Sequence, residues 1–391
     1  MVKDRIDQMD SIRGLAAIAV VFCHFYSVEI NPYLSSLLFK YSPFTFLING
    51  HGSVIMFFLL SGFVLMLPFL KGAQTTYKTF LVKRILRIYI PFWIAMLFAF
   101  LMYALLSAKK VSGLSEWFYN SWNGSITLKS IVENLFLIGN FNSNLYNNAI
   151  WSLIHEMRIS LIFPFIAFIV IKLSWKKVLS IALSLSVISG TTHVFSFDVS
   201  YGYHTGFVDT FHYASIFLIG GLLAKHRGEI VNWFAQSSTK YKWVIVAAAY
   251  VLFTYAGFAM AVGNLLGLYS YSEILADYTA TAGASLIIVV ALGSAKVATI
   301  LSKPVFKFFG NISYSLYLYH LIVLYSFVYL LHGIVPMSII YVITFLLTVL
   351  ISVLSYKYIE IPTIKLGKKM TMKEQPLTFR KEAVTKPVMK L

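Results

Sequence analysis

Five ionisable side chains interrupt apolar stretches of this 391-residue chain: Arg13, His24, Glu156, Arg158 and His320, with His155 beside the glutamate. A charged or titratable group in an apolar surrounding is costly, so each marks a candidate site. Arg13 and His24 stand eleven residues apart. On a helix that is about three turns, which puts both on one face roughly 16 Å apart along the axis. Counted from the ends of their apolar stretches, His24 and Glu156 fall at similar depth on two different helices. A carboxylate bonded to one imidazole nitrogen fixes the ring's tautomer and raises the basicity of the other nitrogen. That is the equipment for taking a proton from a hydroxyl. Ser152, one turn from Glu156 on the same face, is placed to orient it. Plainer readings stay open: a snorkelling arginine, a packing histidine, or an ion pair of Glu156 with Arg158 or Arg13. His320 lines the same cavity or makes a structural hydrogen bond. Asp277 and His212 lie nearer helix ends.

A second constellation precedes the third apolar stretch. Phe80-Leu-Val-Lys83-Arg84-Ile-Leu-Arg87-Ile-Tyr89 sets two arginines three residues apart, on one helical face. Guanidinium groups bind phosphate bidentately, so a phosphorylated cosubstrate fits Arg84 and Arg87. An ordinary cluster of positive charge at a membrane surface is the competing reading. Cys23 adjoins His24 but projects about 100° away around a helix, which argues against a Cys–His nucleophile. As the single cysteine it excludes an intrachain disulfide. No metal-ligand spacing of His, Asp and Glu is evident, and no metal is expected.

The elements that must position these groups are membrane helices. Hydrophobic residues make up 59% of the chain and charged residues 12%, about half the charge of a soluble domain. So much apolar surface requires lipid as its solvent. Ten apolar stretches run roughly over 11–29, 47–70, 88–107, 150–171, 178–194, 207–224, 243–262, 275–293, 312–331 and 336–356. Each is about long enough to cross a ~30 Å hydrocarbon core. The expected fold is all-α, a polytopic integral membrane bundle of about ten transmembrane helices. Residues 1–365 form the membrane domain and 366–391 a basic tail expected to be disordered. The segment from about 108 to 149 is the longest loop and has the composition for a short interfacial helix.

The net charge of +17 does not point to nucleic acid, because the basic residues are dispersed between apolar runs. It points to topology. With the N-terminus in the cytoplasm, the inner loops collect Lys3, Arg5, Lys71, Lys78, Lys83, Arg84, Arg87, Lys172, Lys176, Lys177, Lys225, Arg227, Lys240, Lys242, Lys296, Lys303, Lys307, Lys357 and the basic tail, while the outer ones hold Lys40, Lys109, Lys110 and Lys129. Both termini are therefore expected to be cytoplasmic. The first stretch lacks a cleavage site and reads as a retained helix.

Five segments in order resemble the acyltransferase type 3 family of membrane acyltransferases. Met9-Asp10-Ser11-Ile12-Arg13-Gly14-Leu15, followed by His24, is similar to the family's opening motif of Arg, ten residues, then His. Phe57-Phe58-Leu59-Leu60-Ser61-Gly62-Phe63 resembles its second-helix signature. The Arg84/Arg87 segment running to Pro91 and Trp93 resembles its arginine-rich approach to the third helix. Trp151-Ser152-Leu153-Ile154-His155-Glu156 resembles its Trp-Ser-Leu…Glu motif, though Ile159 stands where a tyrosine often follows. Asn311-Ile312-Ser313-Tyr314-Ser315-Leu316-Tyr317-Leu318-Tyr319-His320 resembles its late motif.

The resemblance implies transfer of an acyl group, usually acetyl, from acyl-CoA to a hydroxyl of a cell-surface or secreted glycan, in a bacterial inner membrane. His24 matches the family's base and Glu156 its acid. Arg13, Arg84 and Arg87 would meet the cosubstrate's phosphates; Asp10, Trp151, Ser152, Arg158 and His320 would contact substrate or support the site. Acetyl-CoA or another acyl-CoA is then a cosubstrate, with no tightly bound cofactor. The expected partners are acyl-CoA, a glycan or glycolipid acceptor and membrane lipid, with homo-oligomerisation left open. The chain lacks the extension that would carry an esterase-like domain, so a stand-alone membrane enzyme is expected. The rival from another class is a proton-coupled transporter using His24 and Glu156 as a relay, but the paired halves and broken helices typical of transporters are not evident.

Overall fold

The computed structural model describes residues 6–30, 37, 39, 42–72, 76–107, 111–123, 126–195 and 197–371. These residues are helical, with isolated bridges but no named strand. The long helices are α1 (Asp7–Val28), α2 (Gly50–Leu70) and α3 (Tyr77–Leu106). The segment before the next long helix carries the short helices α4 (Glu116–Tyr119) and α5 (Leu128–Leu135). Then come α6 (Trp151–Lys172), α7 (Trp175–Phe195), α8 (Asp209–Gln236), α9 (Thr239–Thr254), α10 (Gly257–Leu265) and α11 (Tyr269–Gly293). The chain closes with α12 (Ala295–Leu301), α13 (Pro304–Leu331), α14 (Met337–Ser355), a π-helical turn at Tyr356–Glu360, and α15 (Ile361–Met370).

All ten expected stretches fall on helices, but fewer pass as membrane spans. Among the described residues, seven helical segments are long and apolar enough, or eight if the pair α9–α10, bent by 63°, is one span. The fifth and sixth stretches lie on α7 and α8, which are not among those segments. Lys225, Arg227 and Glu229 charge the end of α8. The expected tail boundary also moves, because α15 runs through residue 366 to Met370. Residues 372–391 lie outside the described ones.

Lipid-facing and protein-facing sides separate cleanly. On α3, Trp93, Leu97, Leu101 and Leu105 repeat every four residues and are exposed. On α14, Val342, Leu346, Leu350 and Leu354 do the same. Such apolar stripes at helical spacing belong against hydrocarbon. The opposite sides pack inward, and α13 is the most enclosed helix, buried along almost its whole middle. It crosses α1 at Gly14 and Gly310, where a Cβ on either glycine would come within 2.5 Å of the other helix's backbone. Small residues permit this close approach, which seats the His24 face of α1 on the His320 face of α13. The two ends of the described chain lie at one end of the bundle. Lys307 at the start of α13 meets Asp7 at 2.5 Å, and Gly367 of α15 lies against Lys83 near the start of α3.

Candidate active site

Two of the cavities within the bundle are lined by polar groups and share Tyr317. The first, of about 100 Å³, lies toward the end that holds the N-terminus and is bounded by Arg13, Arg84, Arg87, Glu156, Ser152 and Tyr314. A neighbouring cavity of about 310 Å³ shares Arg84 and Arg87 and adds Lys83. The second site cavity, of about 380 Å³, holds His24 and His51 among the rings of Trp117, Trp151 and Tyr203 and the amides of Asn120, Asn144 and Asn148.

In the first cavity, Arg84 and Glu156 are joined by a 2.8 Å ion pair from Nη2 to Oε1. The same guanidinium donates to Ser160 Oγ at 3.2 and 3.0 Å through Nε and Nη2. Fork geometry fixes this arginine from one side and leaves part of its donor set for the cavity. Arg13 pairs with Asp10 at 3.3 Å, so Asp10 holds the arginine and is absent from the cavity lining. Arg87 lines both arginine-bearing cavities.

In the second cavity, the expected His24–Glu156 contact is replaced by another. His24 Nδ1 lies 2.8 Å from His320 Nε2, and Trp117 stacks on the His24 ring at 5.3 Å and 15°. The network assigns the protons. His320 Nδ1 faces the carbonyl oxygens of Tyr317 at 2.8 Å and Leu316 at 3.2 Å. A carbonyl only accepts, so His320 Nδ1 carries the hydrogen, and neutral His320 offers a lone pair at Nε2. His24 Nδ1–H donates to that lone pair. Neutral His24 is thereby left with its own lone pair on Nε2.

The depth estimate for Glu156 failed because α6 begins inside the protein. Depth was counted from the start of the 150–171 stretch as from a membrane surface, yet Asn147 donates to Leu318 O at 2.9 Å. Leu318 is thirteen residues before the end of α13, about 20 Å along its axis. Helices α6 and α13 run antiparallel, with Tyr317 donating to Ala149 O and sharing a hydrogen bond with Ser152 Oγ, both 2.7 Å. From that level Glu156 is four residues one way and His320 three residues the other. Glu156 therefore sits about 10 Å from the His24–His320 level, by rise per residue alone.

Arg158 makes its hydrogen bonds to two loops and not to Glu156. Nε donates to Ile138 O, Nη1 to Gly206 O and Thr210 Oγ1, and Nη2 to Gly139 O and Thr205 O, at 2.7–3.1 Å. It clamps two loops to α6. One of them holds His204 at φ +49°, a left-handed conformation rare for a non-glycine residue. Its carbonyl accepts from His155 Nε2 at 2.5 Å, and Thr210 meets His155 Nδ1, so His155 is structural as well.

The structure thus gathers Arg13, Arg84, Arg87, Ser152 and Glu156 at one cavity and His24 and Trp151 at the other, with His320 behind His24. Sequence reasoning missed Tyr317, His51, Trp117 and the asparagines. Tyr317 was findable, because it stands three residues before His320 and so shares its face. His51 begins the second apolar stretch, but its partner, Asp277, comes from 226 residues away.

The fold is that of an integral membrane protein, and its polar cavities make it a candidate enzyme working at bilayer depth. A family profile described as an acyltransferase domain matches residues 6–357. The chain belongs to that family, the type 3 membrane acyltransferases, and is a transferase of acyl groups. No curated protein and no solved structure matches it at comparable stringency.

Proposed function

We propose that the protein moves an acyl group, acetyl in the first instance, from acyl-CoA to a hydroxyl of a cell-surface or secreted glycan such as lipopolysaccharide or exopolysaccharide. The observation that carries this reading is the pair of cavities meeting at Tyr317, one lined by arginine and the other by histidine, aromatic rings and amides. Arginines suit the phosphates of coenzyme A. Aromatic faces with asparagine amides suit a sugar, which offers C–H faces and hydroxyl edges. The bias of Lys and Arg toward the loops at the N-terminal end supports a cytoplasmic side there, in a bacterial inner membrane. Acyl-CoA would then approach from the cytoplasm and the acceptor from outside.

In this reading His24 Nε2 takes the proton of the acceptor hydroxyl as the oxygen attacks the thioester carbon. His320 sets the tautomer of His24, and Glu156 holds Arg84 for the cosubstrate. Both are positioning residues. A transporter relay needs His24 and Glu156 in one path, whereas each has a different partner in a different cavity. The test is release of free CoA from acetyl-CoA by the purified protein in detergent, with a glycan fraction from cell envelopes as acceptor. His24→Ala is expected to lose at least ~100-fold in turnover while remaining folded. Wild-type protein that consumes no acetyl-CoA, or a His24→Ala variant that keeps full turnover, would overturn the reading.

A further inference from the structure

The second cavity contains another histidine pair that the scheme above leaves unused. His51, in the first turn of α2, is brought beside His24 because Gly50 packs directly against Cys23. Its Nε2 donates to Asp277 Oδ1 at 2.6 Å. The other carboxylate oxygen, Oδ2, accepts from His212 Nε2 at 3.1 Å, and His212 Nδ1 meets Ser186 Oγ at 2.9 Å. The side chains of Asp277 and His212 are 4% and 5% exposed, whereas that of His51 is 38% exposed and lines the cavity. Trp151 lies parallel to the His51 ring at 6.1 Å and 9°.

Charge balance separates the two imidazoles of this cavity. A carboxylate as buried as Asp277 requires a countercharge, and its hydrogen-bond partners are two imidazoles. His212 is committed at both nitrogens inside the bundle, while His51 keeps Nδ1 for the cavity, where a proton can reach it. The other titratable groups around His51 are Glu273 on α11, Tyr203 and His204 on the loop before α8, Cys23 and His24 across the cavity on α1, and Tyr317 on α13. His24 has a neutral imidazole behind it and a lone pair in front. Groups of one kind held in opposed environments are suited to opposite tasks.

We propose that His51, paired with Asp277, is a second catalytic residue of the acyl transfer, donating a hydrogen bond to the thioester carbonyl oxygen as it becomes the tetrahedral oxyanion. This rests on the acyl-CoA reading above. The acceptor hydroxyl gives its proton to His24 Nε2 as the new C–O bond forms. The carbonyl electron pair moves onto oxygen, where His51 Nδ1–H meets it. Collapse restores the carbonyl and breaks the C–S bond, and the departing thiolate takes the proton from His24. His51 keeps its proton throughout, and Asp277 acts through it as a positioning residue.

The test combines turnover with chemical labelling. In the acetyl-CoA assay, His51→Ala and Asp277→Asn are expected to lose about 100-fold in kcat with the KM for acetyl-CoA unchanged. His51→Gln retains an N–H donor and is expected to keep part of the activity and to lose the fall in rate at alkaline pH. Size-exclusion profiles confirm which variants are folded. Diethyl pyrocarbonate, which reacts with unprotonated imidazole, supplies a readout free of any acceptor. Near neutral pH, peptide mass spectrometry is expected to find His24 labelled and His51 protected, with the protection lost in Asp277→Asn. Active wild-type protein with indifferent His51 variants, or His51 labelled as fast in wild type as in Asp277→Asn, overturns the proposal alone. Wild-type protein that turns over no acetyl-CoA overturns the acyl-CoA reading and this role together.

Discussion

Removing His320 should damage catalysis without touching cosubstrate binding. The His24–His320 hydrogen bond of 2.8 Å is the contact that selects the His24 tautomer, and His320 is itself anchored on Tyr317 O at 2.8 Å. His320→Ala forfeits a hydrogen bond worth about 1 kcal/mol net and leaves His24 Nδ1–H unpaired, at a further ~1–2 kcal/mol. The ring is then free to invert its tautomer or turn away. Together these effects amount to about 2–3 kcal/mol, a fall in kcat of roughly 30- to 150-fold. Trp117, stacked on the same ring, still restrains its plane and limits the damage. The KM for acetyl-CoA should stay within about twofold, because His320 is absent from the arginine-lined cavity. His320→Gln carries an amide oxygen near the position of Nε2 and should recover much of the loss. The assay is steady-state CoA release across a range of acetyl-CoA concentrations. A His320→Ala variant within about threefold of wild-type kcat, or one whose defect lies in KM, would refute the tautomer argument.

Glu156→Gln removes the charge that holds Arg84, so the KM for acetyl-CoA should rise about tenfold with kcat little changed, whereas a direct partner of the base would show the reverse. Steady-state kinetics on the two variants, Glu156→Gln and His320→Ala, separate these outcomes. Arg158→Ala abandons four backbone carbonyls and a threonine hydroxyl, so thermal unfolding in detergent should reveal a loss of roughly 3–5 kcal/mol. At a temperature where the variant remains folded, its KM for acceptor should match wild type; a raised KM with unchanged stability would mean that Arg158 binds the acceptor instead.

Helices were legible because lipid leaves a chain few choices. A segment such as 336–356 must satisfy its own backbone, and its apolar run announces α14. What composition leaves open is which sides of a helix shelter behind others. Helix α7 is rich in serine and threonine because part of it faces His212 and Tyr278, not lipid. Ser186 bonds to both at 2.9 and 2.7 Å. A hydropathy reading does not tell which side of a span meets lipid and which meets protein. Nor does it place the start of α6, where the segment before it folds inward to reach Leu318.

That one inward fold sets which residues of α6 and α13 stand at one level. Residue types along one helix were informative, since spacing alone puts Arg13 and His24 on a common face and Tyr317 and His320 on another. Pairings between helices depend on vertical register, and register is set by where the connecting segments turn. Shifting α6 by a few turns takes Glu156 from the side of His24 to the side of Arg84. It pairs Glu156 with Arg84 and leaves His320 as the partner of His24. A carboxylate does stand behind an imidazole of the second cavity, but it is Asp277 behind His51. The two members of that pair lie 226 residues apart, on α2 and α11, so no local pattern announces their pairing.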